Sequence, residues 1–254
     1  MTRELDRRMR ECSSVLIKAA INGSRTKRDH SCVPITPEEQ MREARAAVEA
    51  GAGAIHVHVR DTAGRESLAP DDVARCLNAI RDGNPGTSVG ISTAAWIVPN
   101  ANERLSLVEM WGTIPDFASV NVHEEGAIEL MRTLLDKGVG IEAGVWNGNA
   151  ARFLIKSGEV KNCLRILIEP AEASLDPRGS LLEIETALEA VKVPRLLHGA
   201  DAFAWEAIAL AAQRGYDTRA GLEDMLRIPD GSIAKDNAEL IAVALRIAQT
   251  YFLR

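Results

Sequence analysis

The chain has 254 residues, 46% of them hydrophobic and 26% charged, with a formal net charge of −6. That balance argues against general nucleic-acid binding, which favours a basic surface, although a local arginine cluster can still govern one pocket. No run approaches the ~18 apolar residues of a membrane span, and the charged start lacks the apolar stretch of a signal peptide.

A charged leader, 1–14, precedes the first predicted strand, 15–22, which runs into Asn22-Gly23-Ser24-Arg25. Thr36-Pro37-Glu38-Glu39 supplies an N-cap, a proline at the first helical position and acids in the first turn. A helix is therefore read over 37–50, closed by Gly51. The next strand, 54–60, is followed by a helix over 71–81. Further strands fall at 88–94, 117–122, 140–146, 164–169, 195–199 and 218–223. Helices over 102–110, 126–137, 149–157, 180–191 and 202–214 separate them, and a last one spans 233–250. Gly138 and Gly215 sit where helix-ending glycines belong. Eight strand–helix alternations with no low-complexity linker predict a single α/β domain over 1–254, a (β/α)8 TIM barrel. An open doubly wound sheet is the alternative, but it requires no particular number of units.

Chemistry on such a barrel gathers at the C-terminal ends of the strands. Those ends are polar throughout this chain. They carry Asn22, His56 to Asp61, Ser92-Thr93, Ser119 with Asn121 and His123, Glu142 near Asn147, Glu169, His198, and Arg219 to Asp224. Any one such end is ordinarily just solvated. Eight together point to a ligand-binding mouth. The cysteines (Cys12, Cys32, Cys76 and Cys163) show no C-x-x-C spacing and read as reduced thiols, so the protein is expected to be cytoplasmic.

The second strand, Ala-Ile-His-Val-His-Val-Arg, holds the sharpest signal. Side chains alternate along a strand, so His56 and His58 face the same way, and two imidazoles make half of a first-row metal site. The plain alternative is two histidines bonded to nearby backbone or carboxylates. In a closed barrel strand 8 adjoins strand 1, which brings Glu223 within reach as a third ligand and leaves a coordination position open. Glu223 has its own alternative, an ion pair with Arg219 or Arg60. Asp224 turns into the mouth only if the strand has ended before it. There it would stand with Arg219 as a base and its cationic partner, or as a salt bridge.

These residues resemble the β-keto acid cleavage enzymes. The matching pieces are Ala19 to Gly23, Pro34 to Glu39, Glu49 to Asp61, Ile91 to Thr93, Ala118 to Asn121, Arg219 to Asp224 and Ala234 to Ala238. They run in order along essentially the whole chain. The resemblance implies a TIM barrel with Zn²⁺, or another divalent metal, on His56, His58 and Glu223. It implies a reaction in which a 3-keto acid and acetyl-CoA give acetoacetate and a new acyl-CoA. It assigns Arg219 and Asp224 to initiating the chemistry and Ser92 and Ser119 to the substrate's keto-acid end. Asn121 and Glu142, on the neighbouring strand ends, join them as candidates for substrate contact. It also implies a homo-oligomer, a tetramer in the family, while the acidic balance and the lack of an apolar span lead to no nucleic-acid or membrane partner being expected. Trp111 and Met110, near a helix end, add only a weak hint of a subunit contact and equally suit the core.

Three positions depart from the family pattern. Arg25 replaces a glutamate that meets a cationic substrate amine, Gly144 replaces the second of two alternating glutamates, and His198-Gly199-Ala200-Asp201 replaces Gly-X-Gly-Arg on the CoA side. Arg25 is therefore expected to reverse the charge preference towards an acidic distal group, as in a 3-oxo dicarboxylate, unless it pairs with Asp29 or Glu169. A metal-dependent hydrolase on the same barrel is the alternative enzyme. It fits less well, since no lysine occupies a middle strand end. A non-enzymatic sensor is the third reading, and the metal triad with Asp224 argues against it.

Overall fold

The computed structural model describes residues 15–170 and 176–252. Its strands are β1 (Ile17–Ala20), β2 (Ala54–Val57), β3 (Ser88–Ser92), β4 (Phe117–Asn121), β5 (Gly140–Val145), β6 (Arg165–Ile168), β7 (Arg195–Leu197) and β8 (Asp217–Ala220). They pair in parallel in chain order, and β8 pairs back onto β1 through Ile17–Thr218 and Ala19–Ala220. The barrel is closed. The helices are α1 (Pro37–Glu49), α2 (Pro70–Gly83), α3 (Ala101–Glu109), α4 (Ala127–Asp136), α5 (Gly148–Ser157), α6 (Pro177–Ala187), α7 (Asp201–Arg214) and α8 (Asn237–Phe252). No helix among the described residues is long and apolar enough to cross a membrane. The leader and Cys12 lie outside the described residues.

Thr36 caps α1 in a full capping box with Glu39, as its sequence suggests. Other boundaries move for local reasons. Helix α6 starts at Pro177, earlier than predicted, because the Asp176 carboxylate accepts from Gly179 N at 2.8 Å and caps it. Helix α8 starts late, at Asn237, because Ile233 pairs with Arg227 in an antiparallel bridge.

Strict alternation builds two different layers. Ile17, Ala19, Ile55, Val57, Val89, Ile91, Val120, Ile141 and Ile166 belong to the apolar core shared with the helices. Their neighbours in sequence face the barrel axis, and many are charged. Lys18 on β1 reaches across to Glu142 on β5, both fully buried, and Arg165 Nε lies 3.3 Å from the same carboxylate. Arg165 also binds Asp217 at 2.9 Å. Glu142 is therefore a structural partner in the barrel interior and does not line the mouth, contrary to its reading as a substrate contact. Once β5 turns its even positions inward, a carboxylate there must find a buried cation or lose its charge. Trp111 is likewise core, its indole N–H bonded to Leu68 O at 2.9 Å, so of the expected contact pair only Met110 is exposed.

Candidate active site

His56 stands on β2 itself, whereas Asn22 and His58 lie just past the ends of β1 and β2, where side chains take over from the ladder. Asn22 Oδ1 accepts from His58 N at 2.8 Å and Asn22 Nδ2 donates to His58 O at 2.9 Å. Gln40 adds a third bond to the same carbonyl at 3.2 Å. His56 and His58 do face the same way, with ring centroids 5.4 Å apart. Their Nε2 atoms point at the two oxygens of Glu223, His56 to Oε2 at 3.6 Å and His58 to Oε1 at 3.5 Å.

Glu223 arrives there because β8 stops at Ala220. Gly221 passes so close to β1 that a Cβ would lie 2.0 Å from Ala20 O. The chain then turns, with Asp224 N and Met225 N both bonded to Gly221 O. Gly23, at φ +56°, makes room from the other side: a Cβ there would meet Glu223 Cγ at 2.5 Å. The turn brings Glu223 and Asp224 into the mouth together, which continued strand geometry would forbid.

Arg219 joins them. Its Nη2 binds Asp224 Oδ1 at 2.6 Å and Glu223 Oε1 at 3.0 Å, and its Nε donates to Asp224 Oδ2 at 2.9 Å. The sequence posed an ion pair as the alternative to ligation for Glu223. The carboxylate does pair with Arg219 through Oε1, while its Oε2 is buried without a hydrogen-bond partner among the described residues. Arg60 instead donates to the carbonyls of Gly23 and Arg25 and holds the β1 loop.

Electrostatics separate the groups. Burial pushes the His56 imidazole well below its usual range, which favours the neutral form a ligand needs. Burial opposes charge on His58 too, but the Glu223 and Glu66 carboxylates outweigh it and raise it to about 9. Burial also works against the Glu223 charge, yet Arg219 and the two imidazoles hold that carboxyl well below the usual range. For Asp224 burial wins over Arg219, and its pKa is raised. A cluster that gathers negative charge beside two imidazoles suits a bound cation.

The donor set fits a divalent metal. At zinc–ligand distances of about 2.0–2.1 Å, tetrahedral ligands stand roughly 3.3 Å apart, close to the observed Nε2–Oε separations. All three ligand atoms lie within 4.8 Å of one another. His58 Nδ1 is bonded to Glu66, the outer carboxylate that orients a ligating imidazole. Sequence reasoning missed Glu66. It lies eight residues past His58 and comes back only because Arg60 and Glu66 form an antiparallel bridge.

The triad opens into a cavity of about 460 Å³ lined by Ser24, Arg25, His58, Trp96, Trp146, Glu169, Asp201, Arg219, Glu223 and Asp224. Arg25 lines it as expected, but its partner is neither Asp29 nor Glu169. Its Nη2 binds Asp201 Oδ1 at 3.0 Å and its Nε donates to Glu223 O at 3.1 Å. Ser92, Ser119 and Asn121 stand at the ends of β3 and β4 but outside this lining, and Asn121 bonds to Glu124 at 2.9 Å. No sequence signal marks the two tryptophans of the cavity. Trp96 stacks on His58 with centroids 6.3 Å apart, and Trp146 follows β5 directly. His198, buried, lies 3.3 Å from Glu169 and 3.9 Å from Asp224. His30 is held by Ala234 O and Cys32 N, away from the cavity.

A family profile described as beta-keto acid cleavage enzyme matches residues 14–156 and 182–253. The 3-keto-5-aminohexanoate cleavage enzyme of Fusobacterium nucleatum subsp. nucleatum is 28% identical over 253 residues, 92% of this chain and 91% of that protein. A 3-oxoadipate:acetyl-CoA acetyltransferase of Cupriavidus necator is 46% identical over 79 residues, 31% of this chain and 28% of that one. Among solved structures, ObcA in binary complex with oxaloacetate superposes with a TM-score of 0.66 at 17% identity, covering 84% of this chain and 63% of its own. That likeness speaks for the barrel fold alone.

Proposed function

Because the chain belongs to the beta-keto acid cleavage enzyme family, we propose that it is a metal-dependent enzyme exchanging acyl groups between a 3-keto acid and acetyl-CoA. The products are acetoacetate and the CoA thioester of the substrate's remaining fragment. His56, His58 and Glu223 would hold one divalent ion, Zn²⁺ by the character of the donors. When bound, that ion supplies Lewis-acid polarisation of the substrate's carbonyl oxygen.

The protein's own groups handle the proton. Asp224, with its raised pKa and its bidentate anchor on Arg219, is the base that removes a proton from C2 of the keto acid. The C2 carbanion attacks the acetyl carbonyl and expels the CoA thiolate. The thiolate then attacks the original C3 carbonyl, the C2–C3 bond breaks, and acetoacetate leaves as the proton returns. Arg219 keeps the carboxylate oriented and screens it from Glu223. Trp96 and Trp146 line the same cavity and offer aromatic surface to the substrate.

Arg25 supports a finer reading, a substrate with an acidic distal end. Its guanidinium stands on the cavity wall, and the relative named for 3-oxoadipate shares 46% identity over part of the chain. We further expect at least a dimer in solution, checked by light scattering.

The observation that carries the proposal is the joint presence of the His56–His58–Glu223 cluster and the Arg219–Asp224 pair at one mouth. The test is a panel of 3-keto acids with acetyl-CoA, read out as new thioester. Asp224→Asn should lower kcat by about 10²–10⁴-fold while retaining bound metal. Cleavage that proceeds without acetyl-CoA and releases a free acid would favour the hydrolase reading instead.

A further inference from the structure

Asp201, the first residue of α7, is the one non-glycine residue with a left-handed backbone among the described residues, at φ +43°. Its backbone N–H donates to Asp224 O at 2.7 Å, and its carboxylate Oδ1 accepts from Arg25 Nη2 at 3.0 Å. Arg25 in turn donates from Nε to Glu223 O at 3.1 Å. The two residues therefore hold the adjacent carbonyls of the turn that carries the ligand and the base, and they bind each other across it. These contacts are separable. Arg25 keeps its Nε anchor if the ion pair opens, and Asp201 keeps its N–H anchor and its place at the head of α7. Only the Asp201 carboxylate would have to move. It is 73% accessible, and Arg25 is its one ionic partner among the described residues.

We propose that Asp201 is a specificity-determining residue whose carboxylate occupies Arg25 in the empty site and is displaced by the distal carboxylate of the keto acid. The inference deepens the acidic-end reading above and rests on it. A guanidinium grips a carboxylate with two parallel N–H donors. The Arg25 Nε is already committed to Glu223 O, which leaves the Nη1–Nη2 fork, and Asp201 holds one arm of it. Both residues line the catalytic cavity, so substrate and Asp201 compete for the same donor. An exposed ion pair is weak because water screens it, so it yields to an incoming carboxylate. The displaced Asp201 carboxylate nevertheless stays near the incoming one, and like charges repel. Asp201 therefore costs an acidic substrate part of its affinity. A neutral chain end has no reason to break the pair and is indifferent to it.

The test is calorimetric titration of 3-oxoadipate and 3-oxohexanoate into the metal-loaded protein without acetyl-CoA. The two ligands have equal chain length and differ in the distal carboxylate. Asparagine tolerates a left-handed backbone as aspartate does, so Asp201→Asn removes the charge and keeps the turn. It should tighten Kd for 3-oxoadipate by about three- to tenfold and move Kd for 3-oxohexanoate by less than about twofold. In an Arg25→Ala background the same change should gain nothing. Equal tightening of both ligands, or weaker binding of 3-oxoadipate, overturns the assignment. If Arg25→Ala weakens 3-oxoadipate while Asp201→Asn changes nothing, the acidic-end reading stands and the Asp201 assignment falls. If neither variant changes anything, both fall. If Asp201→Asn sharpens the preference but no keto acid yields thioester with acetyl-CoA, the Asp201 assignment stands and the proposed reaction falls. Should Asp201→Asn fail to fold, Asp201→Gly, which accepts the left-handed backbone freely, carries the measurement.

Discussion

The side chain of Asn22 makes two hydrogen bonds to the backbone of His58, accepting from its N–H at 2.8 Å and donating to its carbonyl at 2.9 Å. It thereby continues the β1–β2 ladder by one residue after the strands themselves have ended. The result fixes an imidazole that would otherwise ride on a free loop, and Glu66 then orients the ring from its far nitrogen.

Metal retention should reveal that support. Purified protein should contain close to one zinc per chain by elemental analysis, and His56→Ala should lose it with the fold preserved by circular dichroism. Glu66→Gln and Asn22→Ala should each weaken metal affinity by about 10–100-fold, the usual cost of removing an outer partner. Undiminished affinity in both would show that the cluster does not depend on this scaffold.

Arg25 should decide the distal charge of the substrate. Its side chain keeps 22% of its surface accessible, and its partner Asp201 is 73% accessible, so the pair is open to an incoming carboxylate. Wild type should favour a 3-oxo dicarboxylate over an aminated analogue, and Arg25→Glu should reverse the order. The ratio of kcat/KM values for the two substrates measures this; an unchanged ratio would remove Arg25 from recognition.

The barrel interior offers a stability test. Lys18 and Glu142 are both fully buried and paired. Glu142→Leu alone strands the buried Lys18 and should cost about 3–5 kcal/mol in denaturant unfolding, whereas Lys18→Met leaves Glu142 beside Arg165 and should cost less. The double variant should recover most of that loss. Arg165, retained by Asp217, limits how complete the recovery is.

Glu43 on α1 predicts a pH dependence. Burial raises its pKa, against the opposing bonds from Asn237 Nδ2 at 2.8 Å and N at 3.3 Å. A carboxyl with a raised folded pKa stabilises most below its unfolded value, about 4.3, and that contribution is lost as pH climbs through the folded value. Glu43→Gln keeps an acceptor for Asn237 and has no charge to bury. Its Tm should match wild type near pH 4 and exceed it increasingly towards neutrality.

The barrel was readable from the order of its elements alone. Periodicity is a local property, so the alternation of strands and helices, the Thr36 cap and the shared face of His56 and His58 were all legible without coordinates. The position of Glu223 was inferable too, because closure makes β8 a neighbour of β1. Tertiary structure decided the rest. Inward-facing positions of a strand look alike in sequence whether they sit at the mouth or deep in the barrel, and only depth separates Glu142, neutralised by Lys18, from Glu169 on the cavity wall. Loops obey no period, so nothing local announced that Glu66 would return to His58 or that Asp201 would meet Arg25 from 176 residues away. Asp224 faces the cavity because β8 ends at a glycine pressed against Ala20, a contact between chain segments 201 residues apart that no single-strand pattern contains.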